Sequence, residues 1–210
     1  MISTKSSRFF ELLLLFFILP ILLALPMVKW IKLSAVGIAL LYVGFLVFST
    51  YKFRFKKPNQ PSKNFKLRVL LVSLLLFVSG IILIKLYDKS LLFQVVKQKP
   101  DLWIVILFVY TFLSVFPQEV IYRKFFYERY HHLIANKKLF FLLNVSCFAL
   151  CHLFLKSIPV LIITFIGGCF FAYTYEREQS ITWVSLEHAL YGNLVFTLGL
   201  GEMLAFPGAR

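Results

Sequence analysis

An all-α, polytopic membrane bundle of about seven to eight transmembrane helices is the fold class this sequence predicts, and three observations carry it. Of 210 residues, 60% are hydrophobic. The mean hydropathy is +0.83, well above the range of soluble domains. Apolar windows near the ~20 residues needed to cross a bilayer recur along the whole chain.

The windows follow in order. The first covers about Phe9 to Val28, the second Leu33 to Phe48 and the third Val69 to Ile84, separated by charged or proline-rich breaks. The fourth opens near Leu102 and reaches Phe116, where Pro117 predicts a kink or a break because proline lacks the backbone donor. Leu139 to Leu155 and Pro159 to Tyr175 supply the fifth and sixth. Ile181 to about Phe206 is long enough to tilt or split, which gives seven or eight spans. Lys5 and Arg8 ahead of a leucine-rich stretch resemble the start of a signal peptide. Pro20, Pro26, the missing A-x-A-like cleavage site and the second apolar window that follows favour a retained anchor.

The formal net charge is +14, and its distribution explains it. Residues 51–68, "YKFRFKKPNQPSKNFKLR", hold seven Lys or Arg and no acid. Positive loops stay cytoplasmic, so this loop and the basic N-terminus belong on the cytoplasmic side of what is expected to be a bacterial plasma membrane. Arg123, Lys124, Arg129, Lys137 and Lys138 follow on that side. Short basic loops between spans meet lipid headgroups, and no nucleic-acid partner is expected. Cys147, Cys151 and Cys169 fall inside spans as small apolar residues, in neither a disulfide frame nor a metal spacing. Cys151 projects about 100° from its neighbour His152 on an ideal helix, so a Cys-His pair is not expected. Residues 1–100 thus read as N-terminal transmembrane helices with a basic loop, and 101–210 as the part that carries chemistry.

Polar residues inside apolar spans are costly, which makes them functional candidates. "FPQEVIYRKF" places Gln118, Glu119 and Arg123 at the end of the fourth window. Glu119 and Arg123 lie four apart on one helix face and suit an ion pair between helices equally well. His152 follows Phe148 by one turn, and His188 follows Glu187 with Tyr191, Gly192 and Asn193 on or near its face. Each histidine alone is explained by hydrogen bonding between helices. Together, a carboxylate, two imidazoles and an amide are the parts that activate water and stabilise an oxyanion, and amide hydrolysis is the natural reaction.

These residues resemble the CPBP intramembrane protease family, which includes the type II CAAX prenyl endopeptidases and Abi proteins. Its pattern is E-E-x-x-x-R, then F-x-x-x-H, then H-x-x-x-N or H-x-x-x-D on successive helices. Here the text is Gln118-Glu119-x-x-x-Arg123, Phe148-x-x-x-His152, and His188 followed by Gly192 and Asn193. The resemblance covers roughly residues 100 to 205. It implies a protease acting on a membrane-associated peptide or protein, with Glu119 as base, Arg123 holding it, and His152, His188 and Asn193 stabilising the oxyanion.

Two departures stand out. Gln118 replaces the first glutamate of the pair, and an amide is no base at neutral pH, so Glu119, or Glu187 beside His188, must serve. Gly192 stands at the asparagine position with Asn193 one residue late, which a bulge near Gly192 would correct. Glu119, His152, His188 and Asn193 are also zinc-ligand types, but no H-E-x-x-H helix is present. Direct water activation without a cofactor is therefore favoured. The rival reading is a non-catalytic membrane scaffold or immunity-type protein, which Gln118 supports. A small transporter lacks the expected paired broken helices.

Overall fold

The computed structural model describes residues 4–50, 59–200 and Gly201. Within them the chain is helical, with no strand. We number the helices α1 Lys5–Ala24, α2 Lys29–Ser49, α3 Lys63–Tyr87, α4 Gln94–Gln98, α5 Pro100–Tyr130, α6 Lys137–Leu150, α7 Ile158–Glu178 and α8 Ile181–Leu198. Among the described residues, six segments are long and apolar enough to cross a membrane: α1, α2, α3, α5, α6 extended to Leu155, and α7. The 18-residue α8 has the length of a span but carries Glu187, His188 and Asn193. The protein is an integral membrane protein. Residues 51–58 of the basic run at 51–68, and the C-terminal part of the last predicted window, lie outside the described residues.

Helix starts follow local chemistry. Thr4, Ser62, Asn136 and Ser180 each turn a side-chain oxygen onto backbone N–H groups of the first turn of α1, α3, α6 and α8. The end of α8 falls earlier than its apolar window suggests. Gly199 follows Leu198 at φ 107°, and a Cβ there would lie 1.9 Å from the carbonyl oxygen of Leu91. Only glycine permits this left-handed cap against the Lys89–Leu91 turn.

Of the two expectations for the fourth span, a kink or a break at Pro117, the break does not occur: α5 continues through Pro117 to Tyr130. Two wide turns with i→i+5 bonding, Tyr110–Val115 and Val120–Phe125, flank the short α-helical stretch Phe116–Glu119. A wide turn ahead of proline moves the carbonyl that its ring would strike in a regular α-helix, so the helix absorbs Pro117 without ending. Glu119 therefore lies inside a long helix.

Contacts divide the chain into two units, each drawn from both halves of the sequence: Met1–Lys57 with Val120–Ala172, and Pro58–Glu119 with Tyr173–Arg210. In the first unit, α1 contributes Phe16, whose ring meets Tyr122, Phe126 and Tyr130 edge-on at centroid distances of 5.3, 5.0 and 5.9 Å. Glu11 joins this aromatic layer to charge. Arg129 donates to it through Nε at 2.8 Å and Nη2 at 2.7 Å, and Tyr42 and Tyr130 each donate a hydroxyl at 2.7 Å. In the second unit α3 packs along α8. Val95, Ile106, Tyr110, Val115, Ala189 and Phe196 form a buried apolar cluster there.

Candidate active site

Within the second unit, α5 and α8 bring two predicted residues together. His188 Nδ1 and Glu119 Oε1 are 2.7 Å apart. Both side chains are buried, with 7% exposure for His188 and 0% for Glu119. Away from water such a bond is electrostatically stronger than on a surface. Nδ1 is committed to the carboxylate, so any contact of this imidazole with a substrate runs through Nε2.

Tyr110 was not foreseen as a site residue. Its ring stands edge-on to His188 at 6.0 Å and 83°, and edge-on to Phe196 at 4.9 Å and 73°. Asn193, predicted as an oxyanion stabiliser, donates its amide to Thr111 Oγ1 at 3.1 Å. No bulge restores it to the expected place, because α8 is regular from Ile181 to Leu198. The irregular turn lies instead on α5, where it begins at Tyr110.

Glu187 has a different setting from its neighbour. Arg68 lies 3.1 Å away, Tyr191 donates its hydroxyl at 2.9 Å, and Thr174 donates a further short bond. These contacts tie α8 to α3 and α7 through the Glu187 carboxylate. Gln118 donates through Nε2 to Ser114 Oγ at 2.9 Å, one turn back on its own helix.

The first unit holds the other predicted residues. Arg123 is fully buried. It donates to Asn144 Oδ1 at 2.6 Å and to the Gly168 carbonyl at 3.4 Å, with its guanidinium carbon 5.1 Å from the centroid of the Phe148 ring. Asn144 in turn donates to the Tyr122 carbonyl at 2.6 Å. Sequence reasoning missed Asn144, although an amide within "FFLLNVSCF" is the same signal that marked the histidines.

His152 sits just past the end of α6 at φ −94°, ψ 2°. Its Nδ1 is 3.0 Å from the Phe148 carbonyl and 3.2 Å from Cys151 Sγ, with the Phe148 ring 5.3 Å away between centroids. The expected separation of Cys151 from His152 fails because the helix ends here, and the tight turn folds the imidazole back towards the thiol. All three cysteines are free.

Among the described residues no three His, Cys, Asp or Glu side chains cluster as a metal site. Glu119 and His188 make two donors, one short of the three protein ligands a catalytic zinc usually has.

A membrane-embedded helical protein with a buried carboxylate bonded to an imidazole is the class that fold and geometry define. Residues 100–194 match the family described as type II CAAX prenyl endopeptidase Rce1-like, a stretch that holds Glu119, Arg123, Phe148, His152, His188 and Asn193. The matched segment is just under half of the chain, and over it the protein is similar to the type II CAAX prenyl endopeptidases, which supports the resemblance to the CPBP family. No curated protein and no solved structure matches the chain.

Proposed function

We propose that this protein is an intramembrane endopeptidase that hydrolyses a peptide bond of a membrane-associated peptide or protein. The observation that carries the reading is the buried 2.7 Å bond between Glu119 and His188. A carboxylate bonded to an imidazole can take a proton from water and return it, whereas one bonded only to arginine has no partner that exchanges protons.

In the proposed reaction Glu119 removes a proton from water as its oxygen attacks the scissile carbonyl carbon. His188 orients the carboxylate and disperses the proton's charge. The C–N bond then breaks, and the departing amine receives the proton from Glu119. Asn193, bonded to Thr111, fixes the rotation of α8 against α5. The resemblance assigns His152 and Arg123 to the same reaction, and we retain that assignment on the motif alone.

Purified protein with quenched, membrane-anchored peptides tests the reading. Wild type is expected to cleave some of them, and Glu119→Gln to lose about 10²–10⁴ in rate, the usual worth of general acid–base catalysis. Cleavage is expected to persist with a chelator. A well-folded wild type that cleaves none of the peptides would favour the non-catalytic scaffold, with Gln118 as the residue that marks it.

A further inference from the structure

We infer that Tyr110 is a catalytic residue of this site, its phenol donating a hydrogen bond to the carbonyl oxygen of the bond being cut. The inference deepens the peptidase reading and rests on it.

The geometry begins at Gly192, one helical turn beyond His188 on the same face of α8. A Cβ at Gly192 would lie 2.1 Å from the Tyr110 hydroxyl oxygen, 2.2 Å from Cε1 and 2.3 Å from Cζ. Those distances are shorter than any real contact, so a side chain at 192 and the phenol of Tyr110 cannot coexist. The hydroxyl therefore occupies the place from which a side chain at 192 would project.

That place follows His188 by the interval at which the resemblance expects an asparagine or aspartate. The chain supplies a polar group there, but from α5 and not from α8. Thr111, the next residue on α5, bonds Asn193, the next residue on α8. Two adjacent pairs, Tyr110 with Gly192 and Thr111 with Asn193, thus fix the register of the two helices.

The ring is also held in place. His188, Gly192 and Phe196 succeed one another at intervals of four along α8, and Tyr110 lies across them, edge-on to the two aromatic rings. The tyrosine is buried, at 9% exposure. A donor fixed before the reaction begins needs no reorganisation when charge develops, which is the condition for oxyanion stabilisation. As water attacks, the carbonyl oxygen gains the negative charge and the Tyr110 O–H donates to it. When the C–N bond breaks the carbonyl reforms, and the phenol keeps its proton throughout.

The test compares cleavage of one membrane-anchored peptide by wild type, Glu119→Gln, Tyr110→Phe and wild-type protein with 3-fluorotyrosine at position 110. Tyr110→Phe keeps the packed ring and should lower kcat about 10²–10³-fold, the loss typical of one oxyanion donor, with little change in KM. The fluorinated phenol is a stronger donor, so its rate should differ from wild type while the melting temperature does not. A purely structural tyrosine would not respond to phenol acidity. Cleavage that depends on Glu119 but is unchanged in Tyr110→Phe would overturn the inference and leave the peptidase reading standing. A folded wild type with no cleavage would overturn both.

Discussion

Two carboxylates in apolar helices of this protein, Glu11 in the first unit and Glu119 in the second, are bonded to chemically different partners. Glu11 receives both arms of the Arg129 guanidinium and two tyrosine hydroxyls. Glu119 is bonded to an imidazole. Arginine stays charged at any accessible pH, so the first arrangement is a fixed tie between helices. An imidazole can both give and accept a proton, which is what the proposed reaction asks of the second. Glu187 belongs with Glu11, since it is tied to Arg68, Thr174 and Tyr191 although it directly precedes His188. On the proposed reading, a proton-exchanging partner is what sets Glu119 apart from the two carboxylates tied to arginine.

The comparison breaks most sharply at Glu11. Glu11→Ala leaves Arg129 buried without its carboxylate, and a loss of about 3–5 kcal/mol in stability is expected. Thermal unfolding in detergent or bicelles measures it, and the fraction that stays folded should cleave at the wild-type rate. A large loss of turnover per folded molecule would place Glu11 in the chemistry.

The second unit offers a smaller effect. Gly192→Ala forces a methyl into the Tyr110 ring and should cost about 1–3 kcal/mol, as overpacking does. Combining it with Tyr110→Ala removes the clash, so the double variant should be more stable than the sum of the two single losses predicts. Simple additivity in the melting data would mean that the two positions do not compete for space.

The smallest effect is one of pH. His132, in the turn after α5, has its pKa held below the ordinary imidazole value by desolvation and then by the positive charges of His131, Arg8, Lys5 and Arg129. The fold therefore prefers the neutral ring. The stability it contributes is present above the unfolded pKa and is lost as pH falls through the folded one. His132→Gln should flatten the acid side of a melting-temperature profile, and an unchanged profile would show that the ring's charge does not matter to the fold.

Much of the architecture was legible because apolar length is read directly from the chain. The window Leu33 to Phe48 became α2, Lys29–Ser49, and Pro159 to Tyr175 became α7, Ile158–Glu178. Positions that depend on a second segment were not legible. The stop at Gly199 needs the Leu91 carbonyl, more than 100 residues earlier in the chain. At the site, the spacing of Glu119 and His188 marked both residues, but their bond is a contact across 69 residues. Gly192 looked like a defect in a motif because its meaning lies in Tyr110, on a helix far away in sequence. The ties of Glu11 were hidden for the same reason.

The most direct test of the Glu119–His188 pair is a double-mutant cycle on peptide cleavage with Glu119→Gln, His188→Ala and the combined variant. Residues that act as one unit lose nearly the same rate singly and together. The account predicts a double variant no more than a few-fold slower than the slower single one. Losses that multiply would show two independent contributions and contradict a shared proton-transfer pair.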